Sequence, residues 1–507
     1  MPRSKPRNPA APKKAPLPPS AAPVRWSILV PFLAVLLLVA AGLRIYGSTN
    51  DLWLDEIIAI NTARQASSPL DIIATNRTPP GSPLRLDGQH QLYTLYLYAV
   101  GPQSESFILR IPSLLAGIGT VLMAWLIGRR RDLSCAMFAM LLVGFSYVLV
   151  LYSSEARGYA LGVFFSFVAF YALDRYLENS RWPFAVLFSA SVVLGLLAQL
   201  TFVCFYLAAI AWCAYRLIRS RAGAKRMLTV GLWCHAAPLL FIAWLYDAHI
   251  RDMGTVGGTP SPSLIHSYGT ALAWALGPPS TDVLIFVACV VAVAALYAGI
   301  ARLWREKADA FVLYLGVILV FPILLIAARG SDIVYVRYFL VSIAFLLLLC
   351  SVLLSALYRR GRLGRLACTL LLVAFVASNG GQMATFFQYG RGQYREALRY
   401  MKEHAERSPV VIGGDQDYRI GTQLQYYAPT VMGAGAWQYI RHGTWPPEGP
   451  EWLVCQRESF EPAVPELPRI EDGRHTYEFV RTFPTAPLAG LHWFLYHNQS
   501  VRGSDDR

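Results

Sequence analysis

The sequence predicts a mainly α-helical membrane protein, a bundle of about eleven spans followed by a small soluble α/β domain. Three observations carry this. Of 507 residues, 55% are hydrophobic and only 15% charged, with a mean hydropathy of +0.40. Apolar runs of bilayer length recur through the first 387 residues. From residue 388 onward the runs stop, and short segments with helix and strand periodicity take over.

In chain order, residues 1–25 are rich in Pro, Ala and basic residues and cannot bury enough apolar surface to fold, so they read as a disordered cytoplasmic arm. The run from Trp26 to Tyr46 spans 21 residues, about 31 Å as a helix, and reads as an uncleaved anchor rather than a signal peptide. Ten further runs follow near 109–128, 133–152, 159–177, 184–200, 202–219, 228–246, 282–301, 310–328, 337–358 and 366–387. The transmembrane part is thus 26–387. The stretch 184–217 is too long for one helix, and it divides near Gln199 to Phe202. In the domain at 388–507, "YREALRYMKEHA" and "DYRIGTQLQYYA" have helical spacing, while "SPVVIGG", "EWLVCQR" and "LHWFLYHN" read as strands.

Charge tests the order of spans independently. Alternate connecting segments, beginning with the arm, sum to +18, and the opposite set, including the tail, to −4; together they recover the chain's +14. The excess of Lys and Arg marks the cytoplasmic side of a plasma (inner) membrane protein. The basicity is therefore a topology signal, and a nucleic-acid partner is not expected. The loop at 48–108 and the domain at 388–507 fall on the outer side. The eight cysteines lie mostly in apolar runs without CxxC spacing and read as core residues rather than metal ligands.

The first outer loop is far longer than a connection requires. It opens on "DLWLDEIIAI" (51–60), whose carboxylates Asp55 and Glu56 sit beside the bilayer, where an ionised acid must be solvated, paired or functional. The same loop carries Arg77, Arg85 and His90. The next outer turn, "LYSSEARGYALGVFF" (151–165), puts Glu155 and Arg157 at the same depth, and "VRYFL" (336–340) adds Arg337 and Tyr338. Each has a plain alternative: a capping acidic pair, an interfacial ion pair, a snorkelling arginine with an aromatic-belt tyrosine, and a hydrogen-bonding loop histidine. The outer segment 247–279 joins a Gly/Pro/Ser hinge to an aromatic amphipathic stretch and reads as a lid or an ordinary interfacial loop.

In this order "WLDE" (53–56), "LRIPSLLAGIGTVLMAWLIGR" (109–129), "YSSEARGYAL" (152–161), "VRYFL" and "QYREALRYMKEH" (393–404) resemble the polytopic GT-C glycosyltransferases. The resemblance is to the group of protein O-mannosyltransferases, lipid A aminoarabinose transferase and rhizobial lipopolysaccharide-core transferases, and covers most of the chain. It implies a GT-C-like bundle and transfer of a sugar, with inversion, from a polyprenyl-phosphate carrier to a hydroxyl of a lipid, glycan or protein on the outer face. It implies Asp55 as general base and Glu56 in support, orienting a neighbour or contacting a divalent ion; no other cofactor is implied. Arg77, Arg85, His90, Glu155, Arg157, Arg337 and Tyr338 are then the substrate-binding candidates. Two features depart from the group: "HQLYT" from His90 lacks the two prolines often found there, and no lysine lies between Lys14 and Lys225, so an arginine must serve where relatives use a loop lysine. The competing class, a transporter or lipid-linked glycan flippase, would show internal repeats and charges near the midplane, and neither stands out.

Overall fold

The computed structural model describes residues 26–78, 89–101, 105–251, 263–329, 335–472 and 475–499. The arm 1–25, Arg85 and the hinge of the expected lid lie outside them. Helices of seven residues or more are, in order, α1 (Trp26–Gly47), α2 (Leu54–Gln65), α3 (Gln91–Val100), α4 (Ser106–Arg129), α5 (Leu133–Gly144), α6 (Tyr147–Ser153), α7 (Tyr159–Asn179), α8 (Trp182–Ala198), α9 (Leu200–Arg219), α10 (Ala224–Ile250), α11 (Leu264–Ala273), α12 (Asp282–Arg305), α13 (Phe311–Ala328), α14 (Val336–Tyr358), α15 (Arg362–Tyr389), α16 (Tyr394–Glu403) and α17 (Asp417–Val431).

Every apolar run of the sequence falls on a helix, but not every helix is a full span. Among the described residues nine helices are long and apolar enough to cross a membrane, and the bent pair α5–α6 makes ten. The helix α8, the expected extra span of the divided stretch, has 17 residues, about 25 Å, short of a hydrocarbon core of about 30 Å. The division itself falls where expected, at Gln199 and the tight turn Leu200–Phe202.

The 59° bend between α5 and α6 frees backbone groups that lipid could not satisfy. Two distant side chains take them. Arg44, fully buried at the end of α1, donates to the carbonyls of Val143 and Gly144 at 3.2 and 3.0 Å, and Asn379 on α15 accepts from the Tyr147 amide at 2.8 Å. The break is thereby fixed, and it brings the turn after α6, Ser154 to Gly158, to the end of the bundle.

The loops assigned to one side by charge also meet in space. Arg130 and Arg216 both hold Asp174, at 2.9 and 2.7 Å; Arg216 also reaches Asp309, Arg131 pairs with Glu306, and Arg359 with Asp132. Asp55, Arg157 and Arg337 gather elsewhere, in a separate cluster.

The C-terminal part is a six-stranded mixed sheet in the order β2-β1-β3-β6-β5-β4, with β1 Val410–Gly414, β2 Trp437–Tyr439, β3 Trp452–Glu458, β4 Arg469–Asp472, β5 His475–Phe483 and β6 Leu491–Asn498. Strand β1 runs parallel to β2 and β3; the other pairings are antiparallel. All eight residues of β6 are buried, which explains why "LHWFLYHN" lacks the alternation of a half-exposed strand. One apolar cluster joins Tyr394, Leu398, Leu424, Tyr427, Trp452 and Trp493 of this domain to Trp53, Leu54 and Ile57 of the first loop. The opening of that loop is thus part of the soluble domain's core.

Candidate active site

Asp55 and Glu56 are neighbours in the first turn of α2, where adjacent side chains diverge by about 100°. They reach opposite environments. Glu56 is fully buried and held on both oxygens: Arg110 Nε and Nη2 donate at 2.8 and 2.7 Å, the Ala156 amide at 2.7 Å and the Trp53 amide at 3.1 Å. Burial alone would raise its pKa, but the Arg110 guanidinium outweighs that and holds it below the usual carboxylate range. Arg110 also donates to the carbonyls of Ser48, Asn50 and Asp51. Glu56 therefore locks α1, α2, α4 and the turn after α6 together. Of the two supporting roles expected of Glu56, this geometry has the form of the first, orienting its neighbours, since four N–H donors engage the carboxylate. Among the described residues no group of three or more His, Cys, Asp or Glu converges on a metal position.

Asp55 remains partly open, 18% exposed. Its Oδ2 faces Arg337 Nη2 at 3.3 Å and Arg157 Nη2 at 4.0 Å, and Arg157 Nη1 donates to its backbone carbonyl at 2.9 Å. The three come from chain segments about 100 and 180 residues apart. The Arg337 guanidinium lies 5.3, 4.2 and 5.9 Å from the ring centroids of Trp53, Tyr335 and Tyr338, an aromatic frame that orients a cation without neutralising it. Tyr338 also borders a cavity of about 20 Å³ between α9, α13 and α14.

Glu155 is placed beneath rather than in this opening. It is fully buried, accepts from Trp53 Nε1 at 2.8 Å and pairs with Arg391 at 3.5 Å. Burial raises its pKa, opposed by the Arg391 charge. It thereby holds Trp53, whose ring lies 5.3 Å from the Arg337 guanidinium. His90 Nδ1 donates to the Ala198 carbonyl at 2.8 Å, so the proton sits on that nitrogen. Burial, then the Arg157 charge, push His90 well below its ordinary value, leaving it neutral. The histidine reaches this position because residue 158 is glycine: a Cβ there would stand 1.9 Å from the Ala198 oxygen and 2.9 Å from His90 Nδ1. Arg77 is exposed on the turn Thr75–Arg77 and takes no part in the ion pairs of Asp55.

Three site residues escape sequence reasoning: Arg110, Arg391 and Trp53. The first had a readable signal, an arginine at the very start of an apolar run next to the acidic loop. Arg391 had none, since only the fold brings it back to Glu155, 236 positions earlier.

No family model and no curated protein sequence matches the chain. Solved structures do. ArnT from Cupriavidus metallidurans in the apo state superposes with a TM-score of 0.51 at 12% identity, over 92% of this chain and 98% of that one. The chain has the fold of ArnT. The arrangement is thus the helical bundle with a small C-terminal sheet domain that the resemblance implied. ArnT bound to undecaprenyl phosphate aligns at 0.47 and 11% identity over 93% and 98% of the two chains, and the oligosaccharyltransferase of Archaeoglobus fulgidus at 0.43 and 13% over 84% and 67%.

Proposed function

We propose that this chain is a membrane glycosyltransferase that moves a sugar from a polyprenyl-phosphate carrier to an acceptor hydroxyl at the extracytoplasmic face of the inner membrane. The observation that carries the reading is the split between the two neighbouring acids. Glu56 is consumed by structure, while Asp55 is left partly open beside two arginines. A base with adjacent cations is what this transfer needs. The acceptor oxygen attacks the anomeric carbon as the bond to the phosphate oxygen breaks. The electron pair leaves with the phosphate, the acceptor proton passes to Asp55, and attack opposite the leaving group inverts the centre. A phosphate leaves without protonation, so one carboxylate suffices where glycosidases use two. Charge grows on the phosphate as the sugar departs, and Arg337 with Arg157 would stabilise it. The resemblance read from the sequence implies this class of donor.

Asp55 is itself an anion paired with Arg337. An arriving phosphate competes for the guanidinium and releases the carboxylate to act as base. Asp55→Asn should therefore leave undecaprenyl phosphate binding intact or tighter, and thermal stability near wild type, while transfer falls by ~10² to 10⁴-fold. Turnover close to wild type in Asp55→Asn would sink the reading.

A further inference from the structure

A second charged pair lines the soluble domain beside this opening. Arg419, in the first turn of α17, holds Glu458, the last residue of β3, at 3.3 Å. Their side chains are 27% and 18% exposed, in the range of Asp55 and Arg337, whereas the pairs Glu56–Arg110 and Glu155–Arg391 are sealed at 0%. Unlike those sealed pairs, this one leaves part of both charged groups open to a ligand. Topology sets its place. Strands β1 and β3 are parallel neighbours, so their carboxyl ends leave the sheet on one edge, where α/β sheets commonly take ligands.

That edge is built of polar groups in register. Asp415, just past β1, accepts from the Gln456 amide at 2.9 Å, and Gln456 Nε2 donates to Gln423 of α17 at 2.7 Å. Helix α17 is fastened to the first loop by Tyr427, whose hydroxyl donates to the Leu52 carbonyl at 2.6 Å. Across this junction Glu458 feels the charges of Arg337 and Asp55 as well as that of Arg419. Two domains thus bring four partly open charged side chains to one place: Asp55 and Arg337 from the bundle, Arg419 and Glu458 from the sheet.

We propose that Arg419 and Glu458 form the acceptor side of the cleft, binding a hydroxyl-rich, carbohydrate-bearing acceptor so that one of its hydroxyls meets Asp55. The inference rests on the transferase reading above. A carboxylate that only accepts and a guanidinium that only donates, side by side, match adjacent hydroxyls of a sugar, each of which can do either. The sealed pairs offer no such face.

The test uses the full chain in proteoliposomes, with a total envelope glycolipid extract of the source cells as acceptor pool and their polyprenyl-phosphate sugars as donor, product being followed by mass spectrometry. Glu458→Gln should raise the half-saturating extract concentration about tenfold or more, the loss of a charged hydrogen bond. The saturating rate should change by less than about threefold, and undecaprenyl phosphate binding should be unchanged. Glu458→Asp should recover part of the loss. If Glu458→Gln is not recovered folded, Arg419→Gln carries the same test. A normal half-saturation in a folded variant overturns the acceptor assignment and leaves the transferase reading standing. A wild-type chain that neither binds undecaprenyl phosphate nor transfers any sugar overturns both.

Discussion

Replacing Glu56 by Gln changes one atom and should be among the most damaging conservative substitutions in the chain. The carboxylate accepts from Arg110 through two nitrogens and from the amides of Ala156 and Trp53, at distances between 2.7 and 3.1 Å. Gln keeps one acceptor oxygen and turns the other position into a donor, which then faces an N–H of Arg110 or of the backbone. Arg110 keeps its charge with both side chains at 0% exposure. Breaking a buried pair in this way costs about 3–5 kcal/mol, so the melting temperature of the detergent-solubilised chain should fall by several degrees, read by thermal-shift size exclusion. Pairing Glu56→Gln with Arg110→Met should recover part of the loss. The recovery is incomplete because Arg110 also satisfies the carbonyls of Ser48, Asn50 and Asp51. The sign with pH follows from the lowered folded-state pKa: the stabilisation is present above the ordinary carboxylate value and is lost as pH falls through the lower folded one. A Glu56→Gln melting temperature within about a degree of wild type would refute the argument, since a pair worth 3–5 kcal/mol cannot be that silent.

Arg337→Gln should weaken undecaprenyl phosphate binding by ~10- to 100-fold, the worth of a charge-assisted hydrogen bond, and should leave the melting temperature nearly unchanged; equal binding in a titration would remove Arg337 from the phosphate site. Gly158→Ala should abolish folded protein or displace His90, because the new methyl meets the Ala198 oxygen at 1.9 Å; normal yield and melting would contradict it.

The spans were legible because lipid imposes a pattern that local sequence must carry, apolar runs of about 20 residues with cationic flanks on one side. The exception is instructive. α8 is apolar throughout, and only its 17-residue length separates it from a full crossing. The bend at Gly144 to Ser146 was invisible, since its supports, Arg44 and Asn379, are about 100 and 235 positions away. In the soluble domain the buried strands β1, β3 and β6 announced themselves by composition; β2, β4 and β5, short or half-exposed, did not. At the site, residue types and order pointed to Asp55, Arg157 and Arg337, which the fold brings together. Which of two adjacent acids is the buried one depends on Arg110 and Ala156, and no local pattern distinguishes them.

The core shared between Trp53, Leu54 and Ile57 and the helices and strands beyond residue 390 also fixes when the site can exist. A ribosome makes Asp55 early, but the side chains that seat its helix, Tyr427 and Trp493 among them, emerge some 370 to 440 residues later. At ~5–20 residues per second that is a delay of roughly 20–90 s. During it the first loop is without its packing partners, and Asp51 waits for Arg395. Every candidate span precedes β6 in the chain, so a chain stalled or clipped ahead of β6 carries all of them without the residues that complete this core. Synthesis of the spans and completion of this core should therefore be separable, and a pulse-chase with release at defined lengths should resolve the interval between them.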